Sequence, residues 1–274
     1  MRKKILISFF LGVLVLTFFS ASIFFDKDLI ADKRSDEIMF EKKETIEVNS
    51  IVTQVFVTQS SKNSFFFDHD FLYTDLNFSD NSKSFFVEEI KKVNSIRNPS
   101  RNNVIVINLN DGIQNLKLSS STGNINVTNI FSDNANVRTS TGRINVSNSN
   151  FNNVVFSSST GNITVTDSTF KETNIKVSTA NTSFENCVIE KLDLNSSTGN
   201  LNITNSVLKD NVYLKTSTGN IYLKGVDLNK YTITFESSTG SIKTPEFEAK
   251  KSAVYGNGVY TLKIVTSTGN VIIQ

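Results

Sequence analysis

The chain has 274 residues, 38% of them hydrophobic and 20% charged, enough for one large or two modest domains with a buried core. A net charge of +2 lacks the concentrated basic face that nucleic-acid binding needs. A single Cys excludes an intramolecular disulfide and a cysteine-based metal site, and a single His argues against His-based triads.

Arg2, Lys3 and Lys4 precede an uncharged apolar run at 5–25. A run of this length spans a bilayer as a helix, and a basic start before an apolar run also describes a secretory signal. Residues 1–25 are therefore expected as a transmembrane anchor or signal peptide. The basic end stays inside and the rest is exported. Residues 26–44 are mixed in charge and read as a linker or short helix. "TIEVNSIVTQVFVTQ", Thr45 to Gln59, alternates and reads as two strands. Residues 45–110 are expected as irregular N-terminal coils that cap the rest of the chain, because an open edge strand invites aggregation. "FFFDHDFLYTDLNF", Phe65 to Phe78, holds the sole histidine, His69. In a strand its aspartate neighbours point away from it, so His69 reads as structural or exposed, and the phenylalanines read as core. "SKSFFVEEIKKVNSI", Ser82 to Ile96, fits a helix or a strand.

From residue 111 to 274 the sequence repeats. The phrase Ser-Thr-Gly recurs with its glycine at Gly123, Gly142, Gly161, Gly199, Gly219, Gly240 and Gly269; Ala180 takes the glycine slot in one further copy. With that slot as zero, position −7 holds Leu116, Ala135, Val154, Thr173, Leu192, Val212, Ile233 and Leu262. Positions −5, +2 and +4 are apolar almost throughout. Apolar residues at every second position on both sides of a corner are strand periodicity with one face buried. A unit of about 19 residues cannot bury its own face, whereas stacked units can. The fold expected is all-β: a single-stranded parallel β-solenoid, β-helix-like, of about 19-residue coils, behind the N-terminal helix. Asn129, Asn148, Asp167, Asn186 and Asn205 share one column and mark a turn. The corner pairs Thr122 with Gly123, Thr141 with Gly142, Thr160 with Gly161, Thr198 with Gly199, Thr218 with Gly219, Thr239 with Gly240, and Thr268 with Gly269. Alternation predicts Thr inward, bonding to the next coil, and Ser outward; Gly lets the backbone turn without a Cβ clash.

The segment "NDGIQNLKLSSSTGNI", Asn110 to Ile125, the reiterated "STGNI" and the ending "GNGVYTLKIVTSTGNVII", Gly256 to Ile273, resemble the bacterial putative-adhesin family of β-strand repeats. The resemblance covers residues 100–274 well and 45–100 weakly. It implies an adhesive role and no enzymatic one. Here Asn mostly replaces the acidic residue that usually follows the glycine.

No acid–base constellation, calcium-binding nonapeptide or phosphate loop appears in the sequence. Outward position −4 forms a partly basic stripe that includes Arg138, Lys176 and Lys215. Asn126, Asn145, Thr164 and Asn202 head a file of amides and hydroxyls, of the kind that orders water in ice-binding solenoids. Cys187 reads as a small, partly buried residue. Residues 244–258 depart from the coil and read as a connection or a contact loop. No catalytic residue, metal site or cofactor is expected.

The function expected is a non-enzymatic cell-envelope protein, anchored by residues 5–25, that presents a rigid solenoid for adhesion to a partner protein or glycan. The alternatives are an envelope scaffold or sensor with its partner in the same cell and, remotely, a carbohydrate-active enzyme. Open solenoid ends would permit end-to-end self-association.

Overall fold

From the Gly123 coil to the Gly219 coil the repeats fold as strands on either side of the Ser-Thr-Gly corner, and each coil pairs in parallel with the next at the repeat spacing. In the computed structural model, which describes residues 35–69, 74–92 and 103–274, Phe131–Thr139 pairs with Asn150–Ser158 as Ala135 with Val154 and Val137 with Phe156. The short strands Ile144–Ser147 and Ile163–Thr166 pair in the same way. All described strands belong to one mostly parallel, 24-stranded sheet. The apolar columns form its interior: Leu118, Val137, Phe156, Ile175, Leu194 and Leu214 are essentially inaccessible. Each such side chain contributes about 1.5–3 kcal/mol by leaving water.

Three inward runs separated by three bends shape the coil. One bend is the Ser-Thr-Gly corner. The second is the turn column, where Asn129, Asn148, Asp167, Asn186 and Asn205 all take φ between 48° and 58°, the left-handed region that Asn and Asp tolerate best. Gly225, at φ 62°, continues that column. At the third bend two successive residues face out, as Asp133 and Asn134 do within Phe131–Thr139.

The order of the coils departs from the order of the chain at both ends. The coil of Thr45–Ser50 and Gln54–Gln59 lies between the Gly123 coil and the later segments Ser84–Lys91 and Val104–Leu109. At the other end Tyr260–Thr268 and Val271–Ile273 slip between the Gly219 coil and Tyr231–Lys243. Antiparallel strands then cover the outermost coils. Ser64–Asp68 and Thr74–Asp80 do so at the N-terminal end, and Glu248–Tyr255 at the C-terminal end.

The linker expected at 26–44 is corrected by the first described strand. Ser35–Met39 pairs with Ser64–Asp68, and Phe40 stacks on Phe85 at 4.5 Å. Ser82 to Ile96 yields a strand, Ser84–Lys91, and the 244–258 segment is largely the cover strand Glu248–Tyr255. Phe65, Phe67, Phe78 and Phe85 pack together as the core of the N-terminal cap. The expected anchor or signal helix at 1–25 lies outside the described residues. Among the described residues no helix is long and apolar enough to cross a membrane.

Candidate functional site

At the Ser-Thr-Gly corner the neighbouring coil leaves no room for a side chain on the glycine. A Cβ on Gly142 would lie 2.0 Å from the carbonyl oxygen of Gly123, and one on Gly219 2.0 Å from that of Gly199. Only hydrogen fits there. The threonines, however, do not point inward. Thr122, Thr141, Thr160, Thr179, Thr198, Thr218, Thr239 and Thr268 are all exposed. Strand alternation stops one residue before the corner, so Ser and Thr both face out. The inward hydroxyl sits at −3, in Ser120, Thr139, Ser158, Thr216 and Thr266. The corner threonines still tie coils together, but by bonding a backbone carbonyl at the surface: Thr122 Oγ1 donates to Ile51 O at 3.1 Å and Thr141 Oγ1 to Ser121 O at 3.3 Å. At Ala180 the corner changes its bonding. The Ala180 N–H donates forward to Thr198 O, as Gly199 does to Thr218 O and Gly219 to Thr268 O.

Two further ladders escaped the sequence reading. Where an Asn follows the corner position, its Oδ1 accepts the N–H of the equivalent residue in the adjacent coil, as in Asn200 N to Asn181 Oδ1 at 2.8 Å, Asn220 N to Asn200 Oδ1 at 2.8 Å and Asn270 N to Asn220 Oδ1 at 2.9 Å. That use explains an amide in place of an acid: a row of stacked carboxylates would repel itself. The second ladder runs beside the turn. Ser149 Oγ donates to Ser147 O at 2.8 Å and accepts Ile130 N–H at 3.1 Å; Ser168 and Ser206 repeat the pattern. Cys187 stands in this serine column, its Sγ 3.3 Å from Glu185 O. It is wholly rather than partly buried, and burial pushes its thiol pKa up. The legible signal was the small residue directly after the later turn positions, Ser149, Ser168, Cys187 and Ser206.

His69 is likewise fully buried, in a cluster that closes the corner stack. Ser50-Ile51-Val52-Thr53 occupies the corner of the 45–59 coil, with Thr53 O directly beneath Gly123. Regular corners give their N–H groups to a neighbouring coil. Here the Glu89 carboxylate takes the N–H groups of Ile51, Val52 and Thr53 at 2.6, 3.0 and 3.1 Å. The hydroxyls of Thr53 and Thr74 donate to its other oxygen at 2.8 Å each, and His69 Nε2 lies 3.3 Å away. With Thr74 donating to the carboxylate, Nε2 takes the donor role. Burial alone would raise the Glu89 pKa, but the bonds from His69, Ile51, Thr74 and Thr53 outweigh it and hold the group at about 2. The trace in the sequence was a Glu in the inward register of an alternating strand, after Phe85 and Val87.

One surface that can receive a ligand is a groove of about 600 Å³ on the outward side of the long strands. It crosses adjacent coils near the third bend. One file runs Val155, Asn174, Asp193, Tyr213 and Lys263, aligned by strand register; Asn153, Glu172 and Lys191 run beside it. Glu172 and Lys191 pair at 3.6 Å, and Asn195 Nδ2 donates to Asp193 Oδ1 at 2.6 Å. Asn174 Oδ1 is covered and has no hydrogen-bond partner. The basic stripe at −4 lies nearby, with Lys176, Asn195 and Lys215 edging a shallower depression. In the file headed by Asn126, the groups bond one another along the axis: Asn145 Nδ2 to Asn126 Oδ1 at 2.9 Å, and Thr128 Oγ1 with Ser147 Oγ at 3.2 Å. Among the described residues no three His, Cys, Asp or Glu side chains converge as a metal site would require.

The sequence profile of the Toastrack DUF4097 family matches residues 37–274, from the first described strand to the last coil. The chain belongs to this family. Its span takes in the N-terminal cap, where the repeat is no longer legible. Among solved structures, a protein of Parabacteroides distasonis named a putative lipid-binding protein aligns over 88% of this chain and 96% of its own, at 13% identity and a TM-score of 0.56. That similarity speaks for the fold alone. A putative adhesin from Parabacteroides merdae aligns over 88% of this chain and 95% of its own, at 11% identity and a TM-score of 0.45. No curated protein matches the sequence.

Proposed function

We propose that the protein is a non-enzymatic interaction module of the cell envelope, held by residues 5–25, with the solenoid outside the cytoplasm as an adhesive surface. The observation that carries the reading is the groove. It combines amides, paired charges and an aromatic ring on a rigid parallel stack, and its floor is built of backbone already paired in the sheet. Such a surface can hold a partner without rearranging, which limits the entropy lost on binding. The resemblance of the repeats to the putative-adhesin family agrees with that role. The alternative keeps the same module and places its partner in the same cell, as a scaffold or sensor. End-to-end association is opposed at the C-terminal end. The C-terminal cover strand presents Lys250 and Lys251, the latter at φ 67°, and charges with backbone irregularities discourage edge pairing.

Thiol labelling separates the two locations. Val259 is 84% exposed, and the native Cys187 is buried with a raised pKa, so it stays silent. Val259→Cys should react with a membrane-impermeant maleimide on intact cells. Reaction only after the envelope is opened would sink the adhesive reading in favour of the scaffold.

A further inference from the structure

We infer that the long-strand groove binds an uncharged, hydroxyl-rich glycan chain laid along the solenoid axis. This rests on the reading of the solenoid as an interaction module and names the ligand class of its groove.

Charge is the first argument. Each charged group in the groove already has a partner: Glu172 with Lys191 at 3.6 Å, Asp193 with Asn195 at 2.6 Å, and Lys263 with Glu236 at 3.8 Å. Two carboxylates face two ammonium groups, so the lining favours neither an anionic nor a cationic polymer. Geometry is the second. Parallel coils repeat at about 4.8 Å, a spacing comparable to one pyranose unit of an extended glycan. Each rung therefore offers a new polar group to each sugar: Asn174, then Asp193, then Tyr213, then Lys263. Tyr213 is half-buried, with its ring forming part of the lining, where the apolar face of a sugar can rest against it. The unpartnered Asn174 Oδ1 is an acceptor that gains a bond when its side chain turns toward a hydroxyl donor. A peptide bound by strand addition is disfavoured by the same geometry. Peptides that bind by strand addition need a free sheet edge for their main-chain hydrogen bonds. The groove lies on the face of the sheet, where backbone groups are spent on the neighbouring coils.

The test is affinity electrophoresis of the full chain in gels that contain dextran, soluble β-glucan, mannan or alginate. At least one neutral polymer should retard the wild type, and alginate should not. Tyr213→Ala should weaken retardation about tenfold. Tyr213→Phe should keep it, because the ring remains. Thr164→Ala, on the short-strand side, should leave it unchanged. Thermal melts confirm that each variant is folded. Retardation by alginate alone, or equal retardation of wild type and Tyr213→Ala, overturns the proposal. So does the absence of retardation by every neutral polymer. If that failure accompanies surface labelling of Val259→Cys, the envelope reading stands with a different ligand, a protein first among the candidates.

Discussion

The middle of the solenoid and its two ends solve the same problem in different ways. From Gly123 to Gly219, coils succeed one another in chain order, and the inward columns of the repeat all serve the shared interior. At the ends the order is exchanged. The first coil, 45–59, is covered by a segment some forty residues later, and the last segment, 260–273, is buried beneath an earlier one. A terminal coil held on both sides cannot peel away without breaking two ladders, whereas a sequential stack would fray from its ends. The middle gains stability by repetition. The ends gain it by enclosure, with the phenylalanine cluster and the Glu89 network sealing one side.

The largest expected effect tests that seal. Glu89→Ala leaves three backbone N–H groups, two threonine hydroxyls and His69 without their acceptor, and should cost about 3–5 kcal/mol, read as a drop in the urea midpoint. The same group sets an acid limit. Its folded pKa of about 2 lies below the ordinary value of 4.5. Its contribution, about 3 kcal/mol, is therefore complete above pH 4.5 and lost as the pH falls toward 2. Glu89→Gln should flatten this part of the stability profile. An unchanged acid slope in that variant would remove Glu89 from the account.

The next effect belongs to the middle. Gly142→Ala forces a Cβ against the Gly123 carbonyl and should cost about 2–4 kcal/mol by thermal melting. Ala180→Gly, where the corner already accommodates a methyl group, should shift stability by less than about 1 kcal/mol. Equal effects at the two sites would mean that the corner does not discriminate. Within the asparagine ladder, Asn200→Ala removes the acceptor of Asn220 N–H and should cost about 1 kcal/mol, again by thermal melting. Smallest of all is Cys187→Ser. It restores the residue type of its column, so stability should stay within about 0.5 kcal/mol of wild type. A larger loss would show that the thiol packs where a hydroxyl cannot.

The repeat made the middle readable because a stacked fold writes each contact into the sequence many times. The alternating columns, the turn Asn and the corner glycine each arise from local geometry, and the structure uses them as local geometry demands. The direction of the corner threonines was misread, since alternation was extended through a bend that turns two side chains out in succession. The groove was legible only as scattered outward residues. Asn174, Asp193 and Tyr213 lie 19 and 20 positions apart in the chain and become one surface through strand register.

The sequence by itself determined the all-β class, the coil length, the apolar interior and two of the three bends in the repeat, the glycine corner and the Asn turn, because each depends on neighbours a few residues away or one repeat away. Tertiary structure alone decided which coil lies outermost, that Ser35–Met39 joins the cap, and that Glu89 replaces a missing coil. Those choices pair segments that share no repeat. They are set by burying phenylalanine and satisfying N–H groups across long sequence distances, and no periodicity records that requirement.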